Sequence, residues 1–267
     1  MKYLIPGMKK PPLVNVVRLS GVIASGGRLG GATLSDASVA PLLERAFSKG
    51  KPLAVALAIN SPGGSPVQSS LIGARIRRLA LEKGVKVYAF CEDVAASGGY
   101  WLASSADEIY VDDCSVVGSI GVISASFGFH ELMERYGVER RVHTAGEDKS
   151  MLDPFRPERE EDVVRLKKIQ SQIHDTFIDH VKARRGSRLA DKDLFTGEIW
   201  VGEKAIDVGL ADKIGHLVPA MKMEYGDKVR LNVIGQRRSL LARLGIGAAT
   251  DVLGAVEDRA HWARYGV

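Results

Sequence analysis

The sequence predicts an α/β protein built on a mostly parallel sheet, and three observations carry that prediction. Apolar runs of strand length alternate with amphipathic helical patterns as far as residue 111. One of those runs, 53–59 (LAVALAI), is apolar without a break, the mark of a strand buried on both faces. Gly-rich loops follow the strands, at the carboxyl ends where parallel folds gather their chemistry.

The elements follow in order. Residues 13–23 (LVNVVRLSGVI) form the first strand, and 25–34 a Gly-rich loop. Ser35 or Asp36 caps a helix running to Phe47, with Leu42, Leu43 and Phe47 on one face and a stop near Gly50. After the strand 53–59 comes NSPGG at 60–64. Ser65 and Pro66 then read as N-cap and first residue of a helix to about Glu82, striped by Leu71, Ile72, Ile76 and Leu79. Residues 85–91 form the next strand, the small-residue stretch 94–103 (VAASGGYWLA) opens a helix from Ser97, and 108–111 is a short strand. Residues 116–124 are apolar with glycine turns, 129–136 a short helix, and 138–144 a strand. A long amphipathic helix is expected over roughly 158–184, acidic at its start and basic at its end as the helix dipole favours. A short helix between turns over 196–212 leads into a strand, and 229–234 is the last strand. The one expected boundary, near residue 235, separates a body (1–235) from a basic amphipathic helical tail (236–267).

A chain of 267 residues with 45% hydrophobic and 26% charged side chains has the composition of an ordinary globular protein with a full core. The net charge of +5 is uneven. Residues 1–60 carry eight basic against two acidic groups, 61–220 carry 21 against 25, and 221–267 carry eight against five. Basic ends on an acidic body argue against a nucleic-acid groove. No apolar run is long enough for a transmembrane helix or a signal peptide, so a cytoplasmic location is expected, with membrane association left to the tail. Cys91 and Cys114 fit a reducing compartment. No Cys/His cluster has metal-ligand spacing, and no cofactor is expected.

The chemistry centres on Ser97, a hydroxyl between small residues at the foot of a helix, with free backbone N–H groups beside it. Attack by such a serine needs a base and an oxyanion site. The six histidines (His130, His143, His174, His180, His216, His261) all sit in structural settings. A lysine can serve when burial or a positive neighbour lowers its pKa, and Lys149, in a loop after a predicted strand, is the best candidate. Its neighbours Glu147 and Asp148 favour the charged form, and a solvated surface lysine remains an open reading at this point. The NSPGG loop offers N–H groups for an oxyanion, and Gly98, directly after Ser97, a second one; a plain strand–helix turn is the alternative.

Four motifs in this order resemble the signal peptide peptidase A family of serine–lysine peptidases, in the Clp-protease/crotonase superfamily. They are NSPGG (60–64), VAASGGYWLASSADEIY (94–110), VVGSIGV (116–122) and GEDKS (146–150), with TGEIWVGEKAIDVGLAD (196–212) similar to the family's closing segment. The resemblance implies a Clp/crotonase-like fold of repeated β-β-α and βαβ units with a long helix in the second half and a helical tail. It implies Ser97 as nucleophile, Lys149 as general base, the N–H groups of Gly64 and Gly98 as oxyanion hole, and Ser119 as the residue that positions the lysine. It further implies a ring-like homo-oligomer with sites shared between protomers, and ATP-independent hydrolysis of unfolded or apolar peptides such as signal-peptide remnants. Membrane-bound members carry an N-terminal anchor that this sequence does not show. The tail, where Arg237, Arg238, Arg243, Arg259 and Arg264 flank apolar residues and Trp262, offers either peripheral membrane contact or docking on a neighbouring subunit. Two other readings of the fold are an acyl-CoA enzyme of crotonase type, which needs no serine hydroxyl, and a non-catalytic scaffold such as the family's capsid-associated members.

Overall fold

A helix crosses between each pair of the first three strands, so the strands come out parallel. In the computed structural model, which describes residues 11–25, 33–146, 148–235 and 259–266, the series is β1 (Leu13–Ser20), α1 (Asp36–Ser48), β2 (Ala54–Ser61), α2 (Pro66–Lys83) and β3 (Lys86–Ala96). Both helices start where their caps direct. Ser35 accepts from the Ser38 N–H while Ser38 accepts from the Ser35 N–H, and Ser65 accepts from the Gln68 N–H ahead of Pro66. Each such cap stabilises its helix by ~1 kcal/mol. Gly84, left-handed at φ 61°, ends α2.

The sheet runs β6 (Ile199–Val201), β5 (Val116–Gly118), β3, β2, β1 and β8 (Arg230–Val233). β3 is the long central strand, and it changes partner along its length. Its first part, Tyr88 to Cys91, pairs with β4 (Glu108–Val111); its last part, Val94 to Ala96, pairs with β5 (Val116–Gly118). The second half of β3 was not anticipated, because Glu92 and Asp93 interrupt its apolar run. Between them, α3 (Gly98–Ser104) leaves the end of β3 and returns the chain to β4. β8 (Arg230–Val233) closes the far edge against β1 in parallel.

Alternation along the strands divides the core. Val14, Val16, Ala54, Ala56, Tyr88 and Phe90 face α7 (Leu217–Tyr225), whose Ala220 and Met221 are buried against them. Val17, Leu19, Val55, Leu57, Val87 and Ala89 alternate with these and are buried as well. On that second face the buried Asn15 amide donates to the last carbonyls of α1, at Ala46 (2.6 Å) and Lys49 (2.9 Å).

Three expectations are corrected. Residues 138–144 form no strand: none of them pairs with another strand, the stretch is largely exposed, and Arg140 turns to Asp153. The 196–212 segment opens with a strand, β6 (Ile199–Val201), antiparallel to β5, before the short helix α6 (Glu203–Asp207) and β7 (Lys213–Ile214). α7 was missed because nine residues, one of them Pro219, give too little periodicity.

The chain divides into two compact units, 1–120 with 178–267, and 121–177. The second holds α4 (His130–Arg135), the 145–152 loop and the first part of α5 (Glu160–Arg185). Within it Phe129 stacks on Phe155 (centroids 5.7 Å apart), and the nearly buried Asp162 accepts from Arg159 and from the Leu152 N–H. The last turns of α5 belong to the first unit. There Arg185, 2% exposed, grips Asp212 with two 2.9 Å bonds and donates to the Gly209 carbonyl. Burial alone would raise the Asp212 pKa, but the Arg185 bonds and charge outweigh it and hold the carboxyl below the usual carboxylate range. Of the predicted tail, only 259–266 lie among the described residues; Arg237, Arg238 and Arg243 fall outside them.

Candidate active site

Ser97 sits where β3 stops and α3 starts. Its backbone takes φ 52° and ψ −121°, a conformation that L-residues rarely adopt and that costs about 1–3 kcal/mol. The turn is held from both sides: the Ser97 N–H donates to the Gly118 carbonyl at 2.8 Å, and its own carbonyl accepts from Trp101 N–H at 3.0 Å. The hydroxyl makes no capping bond to the helix it precedes and is half-buried.

The NSPGG loop lies directly against this turn. A side chain on Gly63, at φ 99°, would place its Cβ 2.8 Å from both Ser97 Cβ and the Gly98 nitrogen, so only glycine lets the two backbones meet. Ile23 N–H donates to Gly63 O (2.8 Å), and Ser65 N–H donates to Ile23 O (2.7 Å). The N–H of Gly64 between them therefore points away from Ile23. The Gly98 N–H, first in α3, has no acceptor within its own helix.

Two residues that the sequence did not single out build this loop. Asn60 faces the register shift between β2 and β3, where it alone stands opposite Glu92, Asp93 and Val94: its Oδ1 accepts from Val94 N–H (3.2 Å), its Nδ2 donates to Asp93 (2.5 Å), and its carbonyl accepts from Gly21 N–H. Ser61, fully buried, donates to Gly21 O (2.7 Å) and accepts from Gly63 N–H (3.2 Å). A polar pair at the end of an apolar strand was the available signal.

Ser119 follows the carbonyl that receives the Ser97 N–H, so the two serines stand at neighbouring strand ends. It too is left-handed, at φ 50°, and its N–H donates to Glu198 O at 2.7 Å. The Tyr265 hydroxyl lies 3.3 Å from its Oγ and 3.4 Å from Pro62 O. Tyr265 also lines an open groove of about 820 Å³ whose wall includes Val16, Phe90 and Leu231 as well as Arg18, Glu92 and Asp112.

Ser97, Gly64, Gly98 and Ser119 thus gather in the first unit. Lys149 lies in the second unit, exposed, on the turn closed by its N–H to Gly146 O (3.4 Å). Asp148 beside it is ion-paired with Arg165, which neutralises one of the two acidic neighbours; Glu147 is outside the described residues.

The histidines sit elsewhere. His180 stacks on Trp101 (centroids 4.8 Å) with Nε2 3.1 Å from Ser104 Oγ, and burial pushes its pKa down to about 4. His216 pairs with Asp112 at 2.8 Å. That pair follows Val111, which registers with Cys91, six residues and roughly 20 Å of strand short of Ser97. Burial pushes the Cys91 thiol up to about 12, which makes it inert.

A serine on a strained strand-to-helix turn, flanked by unpaired glycine amides, is the arrangement of serine hydrolases. The profile of peptidase family S49 matches residues 80–229, and the chain belongs to that family. A putative protease of Synechocystis sp. is 30% identical over 254 residues, covering 91% of this chain and 88% of its own. The putative signal peptide peptidase SppA of Enterococcus faecium is 33% identical over 172 residues, covering 62% of this chain and 48% of its own. A Brucella melitensis protein named Na(+)/H(+) antiporter NhaA is 48% identical over 294 residues, 100% of this chain but 40% of that protein. The chain therefore spans less than half the length of the Enterococcus and Brucella relatives. No helix among the described residues is long and apolar enough to cross a membrane.

Proposed function

We propose that the chain is a serine endopeptidase with Ser97 as nucleophile and Lys149 as general base, acting without ATP on unfolded or apolar peptides. The observation that carries this is the strained turn at Ser97, which presents a hydroxyl at the Gly98 N–H and against the Gly63–Gly64 loop. Neutral Lys149 takes the Ser97 proton as Oγ attacks the peptide carbonyl. The oxyanion is received by the Gly64 and Gly98 N–H groups, and Ser119 holds the amine. Lys149 gives its proton to the leaving amine, the acyl chain stays on Ser97, and Lys149 then activates the water that releases it.

The site is shared between protomers of a homo-oligomer. In support, the 121–177 unit leaves Phe127 (79% exposed), Tyr136, Ile123, Val138 and Leu132 open to solvent, and exposed apolar side chains gathered in one segment are a mark of an interaction surface. The test is hydrolysis of an unfolded protein by the purified full chain. Ser97→Ala and Lys149→Ala should each abolish it, and mixing the two variants should restore part of it. Full turnover by Lys149→Ala would overturn the dyad, and absence of rescue would place both groups within one protomer.

A further inference from the structure

Ser119 has a fixed backbone and a hydroxyl that can turn. Its N–H is committed to Glu198 O and its φ is 50°, so the freedom that remains is in its side-chain torsions. A serine hydroxyl has one donor and two acceptor positions. To hold an amine so that its lone pair stays free for Ser97, Ser119 has to accept from an amine N–H, which requires its own proton to point elsewhere.

The residue that meets Ser119 comes from far along the chain. Tyr265, 146 positions later, donates its phenol proton to Ser119 Oγ at 3.3 Å, with Pro62 O as the second acceptor at 3.4 Å. Pro62 belongs to the same loop as Gly63 and Gly64, so one phenol spans the oxyanion loop and the lysine-positioning serine. Its own turn is closed by Tyr265 N–H to Trp262 O at 2.9 Å, and it lines the groove.

We propose that Tyr265 is a positioning residue: by occupying one acceptor position of Ser119 Oγ it fixes that hydroxyl, leaving the other acceptor position for the Lys149 amine. The proposal rests on the Ser97–Lys149 reading. It makes the 259–266 segment a component of the site, with its tyrosine acting through Ser119 on the chemical step. Because the phenol acts on the amine's orientation and the ring stays in place when only the hydroxyl is removed, the loss falls on kcat and leaves KM alone.

The experiment uses the full chain and four variants: Lys149→Ala, Ser119→Ala, Tyr265→Phe and the Ser119→Ala/Tyr265→Phe double. Tyr265→Phe should lower kcat about fivefold to tenfold, the size that one neutral hydrogen bond carries, with KM and thermal midpoint unchanged. In the Ser119→Ala background the same change should have no further effect. An unchanged kcat, an effect confined to KM, or an equal loss in the Ser119→Ala background overturns the proposal. A rise in turnover also overturns it and assigns 259–266 as an occupant blocking the groove. If Lys149→Ala retains full activity, the parent reading fails, and that result is distinct from every outcome at Tyr265.

Discussion

The backbone N–H of Ser97 donates to the carbonyl of Gly118 at 2.8 Å, and that single bond sets the site's layout. It extends the β3–β5 pairing one step past Ala96 and Gly118, so that Ser97 and Ser119 leave the sheet side by side. Both then take positive φ, 52° and 50°, as each chain turns away from its strand. Any group held by Ser119 is thereby brought to the end of the sheet at which the Ser97 hydroxyl emerges.

Strain at Ser97 separates stability from activity. Glycine tolerates φ 52° and ψ −121°, whereas alanine bears the same strain as serine. Ser97→Gly should therefore be inactive yet more stable than Ser97→Ala by about 1 kcal/mol in urea unfolding. Equal midpoints for the two variants would contradict the strain.

The contact at Gly63 is a steric requirement. A methyl group there meets Ser97 Cβ and the Gly98 nitrogen at 2.8 Å, both held by backbone. Gly63→Ala should displace the turn and cut kcat/KM by about a hundredfold or more, the size of a misplacement near 1 Å. Activity within a few fold of the parent would show that the loop does not set the position of Ser97.

Arg185 anchors the closing segment to α5. Removing it leaves the largely buried Asp212 carboxylate with the Ile109 N–H and the partly exposed Arg188 as its remaining partners, so Arg185→Ala should cost about 3 kcal/mol in chemical denaturation. The pair's contribution should be complete above the unfolded carboxylate pKa and disappear as pH falls through the depressed value for Asp212. A loss under 1 kcal/mol at neutral pH would contradict the assignment.

His180 gives the fold a second acid sensitivity at higher pH. Burial holds its pKa at about 4, below the unfolded value of 6.5, so protonation favours the unfolded chain. Stability should be complete above pH 6.5 and fall by roughly 3 kcal/mol as pH drops through 4. His180→Phe, which keeps a ring against Trp101, should flatten that part of the stability–pH curve. An unaltered curve would remove His180 as its cause.

The sheet was legible because its signals are local. The apolar run at 53–59, the Ser65-Pro66 cap and the small residues around Ser97 each dictate their own stretch of chain. Glycines in the 60–64 loop pointed to close backbone approach, though which glycine meets Ser97 depends on the register shift at Asn60, a feature of strand pairing. Charge misled at both ends of the scale: Glu92 and Asp93 hid the second half of β3, while the β-branched residues at 138–144 gave a strand signal with no partner to pair with. Tyr265 carried no signal, since its contact with Ser119 exists only through the fold. Lys149 had an acidic setting in sequence that the Arg165–Asp148 pair partly cancels. The family resemblance, and not spacing, joined it to Ser97.

The most direct test of the account is the rate at which a serine-directed acylating reagent labels Ser97, followed by peptide mass mapping in the parent and in Lys149→Ala. The account predicts stoichiometric labelling of Ser97 in the parent, and labelling slowed by about a hundredfold or more in Lys149→Ala. Equal rates in the two proteins, or a label on any residue other than Ser97, would contradict it.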